Sequence, residues 1–187
     1  MKKKTVALIL ALVMVFGAAV GGTIAWLTDK TADVKNTFTV GNIDIDLTET
    51  LPEGKTAKMV PGDDIAKNPT AIVKANSEAC WLFVTIEKAN NFDKFMTYGM
   101  ADGWTQLTTS DGSLVFYRTV AASDAEQSFA ILENNKVTVK NTITVADMDG
   151  VGTNCPTLTF KAYAIQQAHF DNAADAWTTV STAAVQH

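Results

Sequence analysis

Two histidines, His169 and His187, are the only imidazoles in 187 residues. A zinc peptidase of the His-Glu-x-x-His kind needs two of them one helical turn apart, and that spacing is absent. A serine hydrolase would have to use His169 as its base, but no Gly-x-Ser-x-Gly turn is present to hold the nucleophile. His169 therefore reads as a surface loop residue. Asp147-Met148-Asp149-Gly150 begins like a calcium loop. It lacks the third ligand and the closing glutamate, so a turn is expected there. Asp63-Asp64, behind Pro61-Gly62, could meet a hard cation but reads first as a polar turn. Among 20 acidic residues no pair stands out for glycoside chemistry. The chain does not read as an enzyme, and neither a metal nor a cofactor is expected. Cys80 and Cys155 lack zinc-ligand and Cys-x-x-Cys spacing. A bond between them would close a loop of about 75 residues and contribute roughly 4 kcal/mol if unstrained. The alternative is a pair of buried thiols.

The clearest chemistry is that of a peptidase substrate. Met1-Lys2-Lys3-Lys4 is a cationic start, Thr5–Phe16 is an apolar run, and Gly17, Ala18, Ala19, Gly21 and Gly22 are small. Thr23 and Ala25 occupy positions −3 and −1 of a cut between Ala25 and Trp26. Charged, apolar and small residues in that order make a secretory signal peptide over residues 1–25. The rival is a retained anchor, because Thr5–Leu27 carries no charge over 23 residues and a membrane helix needs about 20. Three glycines weaken a helix there. Cleavage leaves 162 residues with 12 basic and 20 acidic side chains, a formal charge of −8. Such a charge suits a soluble exported protein and argues against nucleic acid or anionic lipid as partners. Membrane contact is expected only before cleavage, and signal peptidase is a partner during export.

The remainder reads as short strands. Phe38 and Val40 alternate with threonines, and after Gly41-Asn42 the pattern resumes as Ile43, Ile45 and Leu47 against Asp44 and Asp46. Period 2 means a strand with one wet face, and the phase change points to a bulge or kink at Gly41. Leu51–Asn68 reads as a loop. Thr70–Asn76, Cys80–Glu87, Trp104–Leu107, Ser113–Val120, Gln127–Leu132, Lys136–Lys140 and Thr157–Gln166 read as strands. Cys80–Glu87 is apolar in both phases, so cover on both faces is expected. Asp111-Gly112 is the strongest hairpin signal. Asn91–Tyr98 reads as a short helix or turn, Thr144–Met148 as one helical turn, and Asn172–Trp177 as a short helix. Turn signals every 8–12 residues predict an all-β chain: a jelly-roll-like antiparallel β-sandwich with one or two short helices, after an N-terminal signal helix. The expected layout is 1–25 signal peptide, 26–49 N-terminal strand segment and 50–187 sandwich domain.

Gly22-Thr-Ile-Ala-Trp-Leu-Thr-Asp29, followed by Asn36-Thr-Phe-Thr-Val-Gly-Asn-Ile-Asp-Ile45, resembles the N-terminus of the TasA/camelysin family of Gram-positive exported proteins. Looser likenesses occur at Pro61-Gly62-Asp63 before Val73–Asn76, and at Lys161–Gln166 before Ala176-Trp177. The resemblance implies processing by a signal peptidase of the SipW type, secretion to the extracellular matrix or cell surface, and a role as a biofilm-matrix fibre subunit. Its partners would be copies of itself, with or without other matrix subunits. In such fibres the N-terminal segment of one subunit completes the sheet of the next. Phe38, Val40, Ile43, Ile45 and Leu47 are the residues that would be donated. The alternative is that this strand pairs within its own subunit. Two other functions compete: an exported module binding carbohydrate or a host surface through an exposed Trp104 or Tyr98, and a metallopeptidase like those described among camelysins. No zinc-ligand set supports carrying the latter over. The mass of the exported protein, measured intact, is expected to match a chain starting at Trp26, whereas an anchored form would keep residues 1–25.

Overall fold

The computed structural model describes residues 42–49, 59–89, 91–149, 151 and 155–184. Its ten strands are β1 (Ile45–Thr48), β2 (Asp64–Ala66), β3 (Thr70–Val73), β4 (Cys80–Ala89), β5 (Met96–Thr97), β6 (Thr105–Leu107), β7 (Leu114–Val120), β8 (Gln127–Ala130), β9 (Lys136–Val139) and β10 (Thr157–Gln166). The helices are α1 (Phe92–Phe95), α2 (Val145–Asp149) and α3 (Ala173–Ala184). The strands form three sheets, ordered β1-β3-β8, β10-β4-β7-β6 and β2-β9-β5, with every pairing antiparallel. The expected antiparallel β-sandwich class therefore holds. Residues 40–187 make one compact unit.

The central strand shows why. In β4, Leu82, Val84 and Ile86 point to one face and Phe83 to the other, and all four are buried. The first set joins a core with Ala71 and Val73 of β3, Phe116 of β7, and Val137 and Val139 of β9. That core fills the space between the four-stranded sheet and the two smaller ones. On the opposite face, Phe83 and Val115 meet Ala173 and Ala176 of α3, with Trp177 and Val180 packed alongside. Helical spacing of i, i+3, i+4 and i+7 places those four α3 residues on one stripe. The expected two-sided cover of this strand is present, with α3 as the outer cover.

Local chemistry sets the ends of α3. The Asn172 side-chain oxygen accepts from the Asp175 backbone N–H at 3.0 Å, and its amide donates to the Asp175 carboxylate at 2.8 Å. This is reciprocal N-terminal capping with an acid in the first turn. The helix runs 12 residues rather than the expected single turn or two, because the apolar stripe continues to Val180. The Asp111-Gly112 hairpin forms as expected, pairing Leu107 with Val115, and Gly112 takes a left-handed φ of 74°. Gly41 and the expected strand at 37–40 lie outside the described residues.

One element departs from expectation. β2 lies inside the stretch read as loop. Its three residues carry a single apolar side chain, Ile65, so no period shows in the sequence. What fixes it is the Asp64 carboxylate, which accepts from Lys136 Nζ at 2.7 Å and Thr138 Oγ1 at 2.6 Å across the β2–β9 pair. Phe83→Ala, at a fully buried site, is expected to lower stability by about 3–5 kcal/mol in urea titration. Val60→Ala, at an exposed site, is expected to stay within about 0.5 kcal/mol of the parent.

Candidate functional site

Of the residues expected to act at the N-terminus, Ala25, Trp26, Phe38 and Val40 lie outside the described residues. Ile43, Ile45 and Leu47 are half-buried and packed on the main core. Strand β1 pairs with β3 of its own sheet, Ile45 opposite Val73 and Leu47 opposite Ala71. Backbone hydrogen bonds extend the attachment upstream: Lys74 N donates to Asp44 O at 2.9 Å and Glu78 N to Asn42 O at 3.0 Å. The last three residues of the expected donor set therefore belong to the subunit's own sandwich.

β1 is an edge strand, and it contacts β10, the edge of the four-stranded sheet. Among the described residues β10 pairs only with β4, along all ten of its residues. A long edge presents a row of backbone donors and acceptors to any strand that approaches. Its exposed side chains, Thr157, Thr159 and Lys161, bring one charge to discourage pairing. Contacts across this rim are both apolar and polar: Ile45 and Leu47 of β1 and Phe160 and Ala164 of β10 pack on the same core. Lys67 Nζ pairs with Glu49 at 3.0 Å and lies 5.5 Å from the Phe160 ring centroid.

The opposite rim is closed. Trp104, just before β6, donates its indole N–H to Ala130 O of β8 at 2.8 Å. Arg118 of β7, the only arginine in the chain, lies 4.0 Å from the Phe129 ring centroid and 5.5 Å from that of Trp104. Each such cation–π contact contributes roughly 0.5–2 kcal/mol. Burial depresses the guanidinium pKa, and its Nε is buried with no hydrogen-bond partner. Gly103, at φ 86°, allows the approach, since a Cβ there would sit 3.1 Å from a guanidinium nitrogen. Sequence reading placed Trp104 at the start of a strand and passed over Arg118. The signal available was a lone arginine amid an apolar alternation. Trp104 and Tyr98 are both half-buried, Tyr98 edge-on to Phe92 at 6.0 Å.

The remaining candidates are structural. The cross-link between Cys80 and Cys155 is not formed, because Cys80 is a free buried thiol. The strand register explains this. Cys80 pairs with Gln166, whereas Cys155 precedes Thr157, which pairs with Ala89. The two cysteines therefore sit at opposite ends of the β4–β10 pair, about 30 Å apart at the rise of an extended strand, far beyond disulfide reach. The Asp147 carboxylate is occupied at the start of α2, where it accepts from Thr144 Oγ1 at 2.6 Å and pairs with Lys94 at 2.8 Å. The Lys94 and Thr144 bonds hold it well below the usual carboxylate range, as befits a helix-capping acid and not an open calcium ligand. Asp63 lies in an exposed turn, and His169 is exposed just after β10. No cluster of three or more His, Cys, Asp or Glu suited to a metal ion occurs among the described residues.

No family model, no curated protein and no solved structure matches the chain. Burial pushes the Cys80 thiol up to about 11. It is expected to resist a water-soluble thiol reagent at mildly alkaline pH in the native protein and to react on denaturation, as read by mass spectrometry. Fast native labelling would contradict the packing of β4.

Proposed function

We propose that the chain is the secreted structural subunit of an extracellular matrix or surface fibre, assembled from copies of itself by strand addition after the signal peptide is removed. The observation that carries this reading is the open rim: edge strand β1, continuous with the N-terminal segment, lies beside the ten-residue edge of β10. An N-terminal strand released by cleavage can pair with such an edge on a neighbouring copy, gaining main-chain hydrogen bonds and burying apolar side chains. Because Ile43, Ile45 and Leu47 hold their own sandwich, the donated part lies upstream of Asn42 and includes Phe38 and Val40. In this reading the cut after Ala25 acts as the switch. Before it the segment is tethered at the membrane, and after it the strand end is free. The jelly-roll-like winding and the extracellular location belong to the same proposal, as does the absence of enzymatic activity.

Support comes from three sources. The order of residues 1–25 suits export. The stretch around residues 22–45 resembles a family of matrix proteins. Finally, most side chains that could do chemistry have structural tasks instead: Asp147 caps a helix, Asp64 holds a strand pair and Cys80 fills the core.

Protein beginning at Trp26 is expected to form filaments visible by electron microscopy. Removing residues 26–36 should abolish filaments while leaving the circular dichroism spectrum and melting of the sandwich unchanged. Thr159→Lys on β10, which adds a charge to the edge, should reduce filament yield in the same way. Protein that stays monomeric at high concentration after correct cleavage would overturn the assembly reading.

A further inference from the structure

A cleft of about 290 Å³ lies between the β6–β7 hairpin and helix α3. The hairpin lines it with Thr108, Ser110 and Asp111, and the helix with Trp177, Thr178 and Thr182. This volume is at the small end of the range for ligand sites, roughly 300–1,000 Å³, and fits one compact ring rather than an extended chain.

The lining offers a ligand both acceptors and donors. Thr178 and Thr182 already donate their hydroxyl protons to helix carbonyls, Ala174 O at 2.9 Å and Thr178 O at 2.8 Å. Their oxygens face a ligand as acceptors. The Asp111 carboxylate accepts from Ser113 Oγ at 2.7 Å and from Ser113 N at 3.0 Å. Those Ser113 bonds hold its pKa down, so it stays anionic. The donors in the lining are the Thr108 and Ser110 hydroxyls and the Trp177 indole. Trp81 and Trp104 give their N–H groups to Phe170 O and Ala130 O, but the Trp177 N–H has no acceptor among the described residues. The Trp177 ring is fixed by Phe83 and Tyr163, each with its ring centroid 5.4 Å away.

We propose that this cleft is a carbohydrate site that takes one sugar ring. A ligand that satisfies the lining must bring several O–H donors, one acceptor for the indole and a compact apolar flank for the Trp177 side chain. A sugar has all three. Carboxylates and phosphates are repelled by the Asp111 carboxylate in the lining. An ammonium ion matches Asp111 but leaves the indole N–H unpaired. In a matrix subunit, a glycan site on the sheet face away from the core would tie the protein to polysaccharide. The site does not depend on assembly, because its residues all belong to one subunit.

Saturation-transfer difference NMR tests this on the cleaved protein in either monomeric or fibrous form. The probes are glucose, galactose and N-acetylglucosamine, with ethanolammonium and acetate as controls. At least one sugar is expected to receive saturation with a dissociation constant of about 1 mM or weaker, and the two controls none. Trp177→Phe keeps the ring and removes the N–H, and should weaken binding about tenfold. Asp111→Asn, at an exposed turn position, should do the same without disturbing the fold, and it stands as the test if Trp177→Phe lowers stability. The proposal is overturned if no sugar receives saturation, if ethanolammonium binds as well as the sugars, or if both variants bind sugar like the parent.

Discussion

Strand β4 must be covered on both faces, and most of the architecture follows from that constraint. Leu82, Val84 and Ile86 on one face and Phe83 on the other are almost wholly removed from water. A half-buried strand can sit in a two-layer sandwich with its outer face wet. β4 cannot, so a third layer is required. Helix α3 supplies it, capped by Asn172 and pressed onto the sheet through Ala173, Ala176, Trp177 and Val180. The same constraint makes Cys80 an inert core thiol and not a cross-link.

The two rims of the sandwich are built differently, and the difference has functional weight. On one side Trp104 bonds to β8 and Arg118 is layered against Trp104 and Phe129, which ties the two sheet edges together. On the other side β1 and β10 lie together without pairing, linked by a lysine–glutamate pair and a lysine over Phe160. Among the described residues the edge of β10 is left without a hydrogen-bonded strand, and this is the difference on which the proposed strand addition rests. The outer face, with its polar cleft beside α3, remains available whichever way subunits join.

Much of the fold was legible from residue order. Alternation in β1, β7 and β10, the double-phase apolar run of β4 and the Asp111-Gly112 turn each have a local cause, and each appears where that cause put it. β2 was not legible, because three residues with one apolar side chain carry no period, and its pairing rests on Asp64 meeting residues more than 70 positions away. The candidate site was legible only in part. The apolar character of Ile43, Ile45 and Leu47 was plain, but not whether they pair at home or abroad. Within the sandwich Ile45 and Leu47 pair at home, and Ile43 packs on the same core.

Local patterns suffice where one side chain's environment is set by its neighbours in sequence. Residue order alone thus determined the β class, the acidic charge of the chain, the hairpin, and the absence of His-Glu-x-x-His and Gly-x-Ser-x-Gly. Only the tertiary structure decided the strand register that separates Cys80 from Cys155, the layering of Arg118 against Trp104 and Phe129, the edge of β10 left unpaired among the described residues, and the cleft where a hairpin and a distant helix meet. Each of these joins segments far apart in the chain. Their geometry depends on how the sheets stack, and no short window of sequence encodes that.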